Sequence, residues 1–375
     1  MRIERIETIP VRIPLKPERR MVSALGKHDV SEFLLVRVFT DDGYEGVGEA
    51  TVTPRWSGET VFGAKAMIDH VLSKVVIGCD PAAIADIDER MDAVAVYNWC
   101  AKSALEMACW DIQGRAANKP VYELLGGLCR PLTMRCRFSM GAYDLDRAKR
   151  RASELVAQGF TTIKIKVGTN PTADIERVRA VREVVGSGIT LTIDANGGWN
   201  EADALHCLGE LADCQLDIVE QPLPRGNYTG LARLRQQSGV KILADESCFD
   251  EVEAEELFAH NACDALSLYP GKNGGIRKTR LIAEMAARQQ IPCSIGSNLE
   301  WDVGAAAMMH CIVATPNLQV ERYPGDCLGP DYHEFSIAKN PLKIEGPLVT
   351  LHEAPGLGIE VDWDLVQQHR IVDSR

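Results

Sequence analysis

Charged side chains end four short apolar runs of the sequence, and their types suit metal-assisted proton abstraction. The runs are TTIKIK, ending at Lys166; LTID, ending at Asp194; LDIVE, ending at Glu220; and KILAD, ending at Asp245. A charge at the carboxyl end of a barrel strand costs burial free energy, so it normally serves function there. Each carboxylate alone could equally be a helix N-cap or part of a loop ion pair. Together they would converge on one point, and hard oxygen ligands of this kind predict a Mg²⁺ site.

Two lysines share one face of the first of these runs. Lys164 and Lys166 alternate with Ile163, Ile165 and Val167, so in a strand both lysines would face the barrel mouth while the apolar set faces the helices. Repulsion between the two ammonium groups would lower the pKa of at least one of them. Alone, the pair could be two surface lysines, but the three carboxylates favour catalysis. Lys166 would remove the α-proton of a substrate carboxylate, and Mg²⁺ would stabilise the ene-diolate.

Composition predicts a large, soluble enzyme with a small carboxylate as its partner. The chain has 375 residues, of which 46% are hydrophobic and 25% charged, and its net charge is −12. That charge argues against nucleic acid and anionic membranes as partners. The N-terminus alternates like a strand and does not resemble a signal segment. The twelve cysteines are scattered without a C-x-x-C pair, and we therefore expect a reduced, cytoplasmic protein.

The pattern of apolar and polar residues divides the sequence into three segments. Residues 1–130 read as a capping domain in which strands up to about Thr53, with a hairpin turn at Asp41-Asp42-Gly43, precede helices. The apolar spacing predicts a helix from Ala101 to Ala116, with Gly126-Gly127 as a stop. Residues 131–336 read as a barrel. Residues 337–375 return to alternating runs and are expected to pack back on the capping domain.

The middle segment predicts a (β/α)₈ barrel. Strand-like runs start near residues 135, 161, 191, 216, 241, 264, 292 and 318. The starts are roughly 23 to 30 residues apart, which accommodates one strand, one helix and two loops. A doubly wound sheet would more often carry a G-x-G-x-x-G motif after its first strand, and none is placed so here.

The sequence resembles the enolase superfamily, in the branch of muconate lactonizing enzymes and mandelate racemases. The resemblance spans nearly the whole chain and rests on DDGYEGVGEAT, AKSALEMACWDIQGRAANKPVYELLGG, the K-x-K pair, the three carboxylates, KNGG and GSNLE. It implies that Lys166 is the acid/base residue, that Lys164 assists the substrate carboxylate, and that Glu300 contacts that carboxylate or its enolate oxygen. It also implies Mg²⁺ as cofactor, a homo-oligomer, and mobile capping loops at about Pro17–His28 and Pro54–Thr60.

One position departs from the family pattern. Lactonizing-type relatives carry a lysine three residues before the lysine of KNGG, and here SLYPGKNGG places Tyr269 at that position. Racemisation needs an acid/base group on each face of the ene-diolate. Because an unperturbed tyrosine with a pKa near 10 is a poor base at neutral pH, racemisation would require an activated Tyr269 or a contribution from Lys272.

The departure favours a reaction on one face. In a syn elimination, Lys166 takes the α-proton and then protonates the departing hydroxyl group, so dehydration of a small hydroxy acid such as a hydroxyproline is the main hypothesis. A muconate-type cycloisomerase, a racemase or epimerase of an amino acid derivative, and a non-catalytic binding homologue are the alternatives. His310 and His333 are expected beyond strand ends or in loops, which disfavours acid sugars. The predicted substrate contacts are Trp56, Asn196, Lys272, Asn298 and Glu321, with Tyr323 and Asp326 as further acceptors for a substrate ammonium.

Overall fold

The structure of the chain is a computed structural model, and it describes residues 1–372. Its strands are β1 (Ile3–Pro14), β2 (Met21–Ser23), β3 (Gly26–His28), β4 (Val30–Thr40), β5 (Glu45–Val52), β6 (Thr133–Arg135), β7 (Phe138–Met140), β8 (Thr162–Lys166), β9 (Thr190–Asp194), β10 (Leu216–Glu220), β11 (Ile242–Ala244), β12 (Ala265–Leu268), β13 (Cys293–Ile295), β14 (Lys343–Glu345) and β15 (Leu348–Thr350).

Sixteen α-helices accompany these strands in the described part of the chain. They are α1 (Pro54–Ser57), α2 (Val61–Met67), α3 (Ser73–Val76), α4 (Ile84–Val94), α5 (Trp99–Ala117), α6 (Val121–Leu124), α7 (Leu145–Ala157), α8 (Pro171–Val185), α9 (Glu201–Glu210), α10 (Tyr228–Ser238), α11 (Glu251–Ala259), α12 (Pro270–Asn273), α13 (Ile276–Arg288), α14 (Asp302–Ala314), α15 (Gly329–Tyr332) and α16 (Trp363–Gln368). A π-helical turn, Ile68–Leu72, joins α2 to α3, and 3₁₀ turns lie at Pro17–Arg19 and Ala212–Cys214. No helix of residues 1–372 is long and apolar enough to cross a membrane.

The N-terminal part is an antiparallel sheet packed on a long helix. Its order is β1-β4-β5, and α5 lies across β5. Gly48 makes that packing close, because a Cβ atom there would lie 1.8 Å from the carbonyl oxygen of Ala104. Only glycine therefore allows the helix to approach the strand at this point.

The C-terminal part is a curled parallel sheet of seven strands in the order β13-β12-β11-β10-β9-β8-β7. Helices α7, α8, α9, α10, α11 and α13 follow successive strands, as expected for a β/α barrel. The barrel fold class predicted from the sequence is confirmed. In the register, Lys166 pairs with Asp194 and Asp194 pairs with Glu220, so the charged strand ends lie at one level of the sheet.

Several local predictions differ from the structure. The eighth barrel strand, expected near Leu318, is a single parallel bridge from Leu318 to Cys293. The run RCRFSMG contains two strands, since β6 pairs with β15 of the tail and only β7 joins the barrel. Helix α5 ends at Asn118, whose φ of 51° ends it in a left-handed cap, well before Gly126-Gly127.

The tail contacts both parts of the molecule. Strand β15 pairs with β6 beside the barrel, whereas Arg370 forms a bridge with Val11 of β1. The backbone N–H of Leu357 donates a hydrogen bond to Asp111 of α5 at 2.8 Å. The tail therefore links the N-terminal sheet to β6, the strand that precedes the first barrel strand β7.

Buried carboxylates of the N-terminal part cap helices of the barrel. Glu106 accepts hydrogen bonds from the backbone N–H groups of Ile276 and Arg277 at the start of α13. Glu49 accepts them from Trp301 and Gly304 at the start of α14. Because the first N–H groups of a helix have no partner within the helix and carry partial positive charge, each carboxylate stabilises the junction between the two parts.

We expect replacement of Glu106 by alanine to destabilise the protein by about 3 kcal/mol. Glu106 is fully buried and also accepts a hydrogen bond from the indole N–H of Trp110, so its loss leaves one buried and two partly buried donors without their partner. Urea unfolding followed by circular dichroism would measure the change. Glu284→Ala, at an exposed position of the same helix α13, is the matched control, and equal stability of the two variants would contradict the capping role.

Candidate active site

A network of lysines and carboxylates occupies the carboxyl ends of the barrel strands. The Lys166 Nζ atom lies 2.5 Å from Asp194 Oδ2 and 2.9 Å from Asn196 Oδ1. The Lys164 Nζ atom lies 3.1 Å from Glu220 Oε1 and 3.3 Å from Asp194 Oδ2. Strand alternation thus brings both lysines to the inner face, as predicted. Asp194, Glu220 and Asp245 line the same cavity as the two lysines.

A buried arginine joins this network from the first barrel strand. Arg137, only 2% exposed, lies just before β7, and its guanidinium donates a hydrogen bond of 2.9 Å to Glu220 Oε2. Glu220 therefore accepts from two cations, Lys164 on one side and Arg137 on the other. This arrangement orients the carboxylate and compensates the cost of its burial.

The lysine pKa differs from the sequence-based expectation. Burial lowers the pKa of Lys166, but the carboxylates of Asp194, Glu220 and Glu246 outweigh burial and raise that pKa above its ordinary value. Conversely, although burial raises the pKa of Asp194, the ammonium groups of Lys166 and Lys164 bring it well below its usual range. At these distances attraction to the carboxylates outweighs repulsion between the lysines, so the expected lowering of the Lys166 pKa does not hold while the carboxylates carry their full charge.

The donor set of this site fits a hard divalent cation. Asp194, Glu220 and Asp245 stand on the ends of three adjacent strands and supply only carboxylate oxygens. Within residues 1–372, no three acidic, histidine or cysteine side chains are already gathered around a common point. The reason is visible in the ion pairs, since Lys164, Lys166 and Lys272 draw the carboxylates onto themselves. A cation would compete with these ammonium groups for the same oxygens.

Lys272 is not at the cavity, contrary to the expectation of a substrate contact or a second base. Its side chain is 0% exposed. The Nζ atom donates to Asp245 Oδ1 at 2.8 Å, to the Asp245 carbonyl oxygen at 2.9 Å and to the carbonyl oxygen of Ser267. All three ammonium protons are therefore used in hydrogen bonds. Lys272 thus positions Asp245 from the side that faces away from the cavity. Helix α12, which begins at Pro270, turns the lysine back into the protein.

Tyr269 lies across the barrel mouth from Lys166, because β12 and β8 are separated by three strands in the sheet. Its side chain is 1% exposed and stacks on Trp56, with ring centroids 5.6 Å apart. Burial, together with the charges of Asp245 and Glu300, raises the pKa of Tyr269 well above its ordinary value. The phenol is therefore neutral at physiological pH and is not a base.

The N-terminal part partly covers the cavity above the carboxylates. The cavity encloses about 100 Å³, well below the roughly 300 Å³ at which pockets for drug-sized ligands begin. The β2–β3 hairpin lines one side with Met21, Leu25, Lys27 and His28, and Trp56 of α1 lines another. Both loops expected to cap the site thus contribute to it, and the volume favours a compact substrate.

Three further predicted residues lie at or just behind this cavity. Asn196 lines it and donates a 2.9 Å hydrogen bond to Glu246. Asn298 also lines the cavity. Its side-chain oxygen accepts a hydrogen bond from Thr53 Oγ1 and its side-chain NH₂ group donates to the carbonyl oxygen of Thr51, which connects the barrel to the N-terminal part. The Glu300 carboxylate lies behind these lining residues and accepts a 2.6 Å hydrogen bond from Ser297. Burial raises the pKa of Glu300 to about 7.

Other predicted residues lie elsewhere. Glu321 is 64% exposed and pairs with Arg130 on the outer surface, so the structure does not support its predicted substrate contact. Tyr323 packs against Ile218, Leu243 and Ala265 of the barrel strands. His310 lies within α14, fully buried, and its Nδ1 accepts from the Tyr122 backbone N–H, whereas a position in a loop was expected. Trp301 is a core residue stacked on Phe33.

Four residues of the site were not assigned a role from the sequence, or only a weak one. Arg137 alternates with Ser139 in RCRFSMG, and this inward spacing was a usable signal. Glu246 follows the predicted ligand Asp245 directly. His28 and Asp326 line the cavity, but they come from distant segments, and only folding brings them to the carboxylates.

Comparisons with known proteins agree with this geometry. Residues 5–126 match the family model "Mandelate racemase / muconate lactonizing enzyme, N-terminal domain", and residues 147–365 match "Enolase C-terminal domain-like". A hydrophobic dipeptide epimerase of Enterococcus faecalis is 34% identical over 96% of this chain and 99% of its own. A chloromuconate cycloisomerase of Delftia acidovorans is 32% identical over 98% and 99% of the two chains.

Solved structures show the same fold. The N-succinyl Arg/Lys racemase from Bacillus cereus superposes with a TM-score of 0.94 at 29% identity, covering 99% of both chains. The dipeptide epimerase from Enterococcus faecalis, in complex with Mg and the dipeptide L-Leu-L-Tyr, superposes with a TM-score of 0.90 at 34% identity and covers 96% of this chain and 100% of its own.

Proposed function

Because the chain belongs to the mandelate racemase/muconate lactonizing enzyme branch of the enolase superfamily, we propose that it removes the proton alpha to a substrate carboxylate with Lys166 as the base. The chain is thus an enzyme of the isomerase or lyase type. The geometry at Lys166 supports the role, because its Nζ atom stands at the cavity within 2.5 Å of a carboxylate that keeps it oriented. A base must lie within hydrogen-bond reach of the proton that it removes.

We propose Mg²⁺ as the cofactor, held by Asp194, Glu220 and Asp245. When bound, Mg²⁺ would withdraw charge from the substrate carboxylate and so acidify its α-proton. Residues of the chain orient the proposed metal ligands. Lys164 and Arg137 hold Glu220 in place, Lys272 holds Asp245, and the capping hairpin with Trp56 covers part of the cavity.

The overall reaction that the geometry supports best is dehydration of a compact β-hydroxy acid. The observation that carries this proposal is that the end of β12, separated from the strand of Lys166 by three strands, offers no lysine to the cavity, since Tyr269 takes that position and Lys272 is buried away from the lining. Of the other lysines that line the cavity, Lys164 shares β8 with Lys166 and Lys27 lies on the capping hairpin. In the elimination, Lys166 takes the α-proton, the Cα–H electron pair forms the C=C bond, and the C–O bond breaks. The Lys166 ammonium then donates its proton to the departing hydroxyl group, so water leaves and the free amine is restored.

A cyclic hydroxy amino acid such as a hydroxyproline fits this cavity. Asp326 lines the cavity and is buried, and within the described residues it has no lysine or arginine partner within 4.0 Å, in contrast to the three predicted metal ligands. A buried carboxylate is stabilised by a cation. We therefore propose that Asp326 takes the ammonium group of the substrate.

An isomerase is the second candidate, and the relatives favour it. The relatives named above are an epimerase, a cycloisomerase and a racemase. Cycloisomerisation needs one lysine only. Epimerisation needs a proton donor on the second face, and the neutral phenol of Tyr269, at the end of β12 and stacked on the cavity residue Trp56, is the candidate for that donor.

Proton NMR in D₂O separates these reactions. The protein would be incubated with Mg²⁺ and pooled carboxylates that include hydroxyprolines, muconates, prolines and dipeptides. Loss of the α-proton signal with appearance of a keto or imine product supports dehydration. Deuterium entering an otherwise unchanged skeleton supports epimerisation and contradicts the dehydration proposal. The homo-oligomeric state and the cytoplasmic location stay predictions.

Replacement of Tyr269 by phenylalanine is expected to change dehydration by less than about 10-fold, because a positioned acid or base contributes roughly 100-fold or more. The ring would keep its stacking on Trp56. Rates would be measured by NMR at saturating substrate. Tyr332→Phe, which removes another buried hydroxyl group bonded to the Ser139 carbonyl oxygen, controls for loss of a phenol. A drop of 1,000-fold in Tyr269→Phe alone would assign the second acid to this residue.

A further inference from the structure

Two histidines and one serine form a hydrogen-bonded chain that leads from the protein interior to the cavity. His333, which is 1% exposed, has its Nδ1 atom 2.8 Å from the carbonyl oxygen of Gly329 and its Nε2 atom 3.0 Å from Ser31 Oγ. Ser31 Oγ also lies 2.9 Å from Nε2 of His28. His28 ends strand β3 of the capping hairpin and lines the cavity.

The chemistry of these groups sets the direction of every hydrogen bond in the chain. A carbonyl oxygen only accepts, so Nδ1 of His333 carries a proton. Burial lowers the pKa of His333 to about 4, so the ring is neutral at pH 7 and its Nε2 atom is an acceptor. The Ser31 hydroxyl group therefore donates its single proton to His333.

The consequence reaches the cavity through Ser31. Because its proton is used on His333, Ser31 Oγ can only accept from His28, so Nε2 of His28 carries the proton. In a neutral imidazole the other nitrogen is then an acceptor. Nδ1 of His28 has no hydrogen-bond partner within residues 1–372. It is also not one of the fully buried polar atoms that lack a partner, so it keeps some exposed surface.

We propose that His28 is a specificity-determining residue, whose Nδ1 atom accepts a hydrogen bond from a hydroxyl or protonated amine group of the substrate. The proposal rests on the proposed function, in that the substrate carboxylate lies on the strand ends beneath the hairpin. A hydrogen-bond acceptor that a ligand covers selects ligands that carry a donor, because a polar group left unpaired on binding is costly.

The charged groups around His28 are compatible with its neutral form. Burial lowers the pKa of His28, Lys166 lowers it further, and Asp29 partly opposes them. The other titratable groups near this hydrogen-bonded series are His333 and, beyond it, Lys16. None of the predicted metal ligands forms a hydrogen bond with His28 in the described structure.

The first test is the tautomer itself, and it needs no substrate. Long-range ¹H–¹⁵N correlation on the histidine-labelled protein at pH 7 should show His28 protonated at Nε2, with the assignment made by loss of the signal in His28→Gln. Ser31→Ala should shift His28 towards a mixture of tautomers. Protonation of His28 at Nδ1 in the wild type would overturn the proposal even if the enzyme proves to be a dehydratase.

The second test measures recognition by titration calorimetry with Mg²⁺ present. The probes are L-proline, which carries an amine donor, 2-hydroxycyclopentanecarboxylate, which carries a hydroxyl donor, and cyclopentanecarboxylate, which carries neither. We expect at least one donor-bearing probe to bind about 10-fold more tightly than cyclopentanecarboxylate. The probe that shows the preference identifies the donor.

Two substitutions make the test specific for Nδ1. Glutamine places its amide near the position of Nε2, so His28→Gln should keep the Ser31 contact and lose the preference. Asparagine places its amide near the position of Nδ1, so His28→Asn should retain part of it. An unchanged preference in His28→Gln, or equal affinities of all three probes in the wild type, would overturn the proposal. Neither result depends on turnover, so failure of the proposed reaction remains distinguishable.

Discussion

Replacement of Lys166 by alanine is expected to reduce α-proton abstraction by about 1,000-fold or more. The side chain stands at the cavity between Asp194 and Asn196, and β12 offers no lysine to replace it, since Tyr269 stands at its end and Lys272 is buried. A positioned general base contributes roughly 100- to 10,000-fold. Exchange of the α-proton in D₂O, followed by NMR, measures this step regardless of the overall reaction.

The control must separate chemistry from folding. Lys149→Ala removes a lysine that is 43% exposed and pairs with Glu183 on the outer helices, and it should leave exchange unchanged. The Mg²⁺ affinity of Lys166→Ala should not fall, because removal of an ammonium group frees Asp194 for the cation. A Lys166→Ala variant that exchanges protons at the wild-type rate would refute the assignment of the base.

Replacement of Asp194 by asparagine is expected to weaken Mg²⁺ binding by at least about 100-fold, because loss of a charged ligand should exceed the 10- to 100-fold cost of losing its outer partners. The same change leaves Lys164 and Lys166 without a shared counterion. The metal-free variant should therefore lose roughly 3 kcal/mol or more of stability, as breaking a buried ion pair usually does. Calorimetric titration with Mg²⁺ and thermal unfolding would measure the two effects.

Asp217 provides the matched control for this prediction. It lies at the opposite end of the neighbouring strand β10 and pairs with Arg322 at the surface, so Asp217→Asn should leave Mg²⁺ affinity unchanged. Treatment of the wild type with a chelator should abolish proton exchange, and Mg²⁺ should restore it. Full activity of Asp194→Asn, or exchange that persists in excess chelator, would contradict the metal site.

Local patterns predicted the site wherever side-chain direction follows from strand alternation. Lys164 and Lys166 face inward because residues two apart in a strand share a face. Asp194 and Glu220 lie at one level because parallel strands of similar length end together at one edge of the sheet. The order of the runs along the chain was therefore sufficient to place the lysine pair beside the carboxylates.

Side chains that leave regular structure were harder to predict. Tyr269 follows β12 directly and precedes the short helix α12, whose turn buries Lys272 against Asp245. The eighth strand was expected from spacing alone, but Leu318 forms only one bridge. The spacing of the strand-like runs shows that enough residues are present for an eighth strand. It does not show which hydrogen bonds those residues form.

The sequence by itself determined the barrel, the lysine pair and the three carboxylates, because these depend on alternation and on order along the chain. The tertiary structure alone decided the charge balance around Lys166, the sealing of Lys272 and the chain from His333 through Ser31 to His28. These features join residues that are distant in sequence. Their physical basis is burial and hydrogen-bond direction, which exist only once the chain has folded and brought these distant residues together.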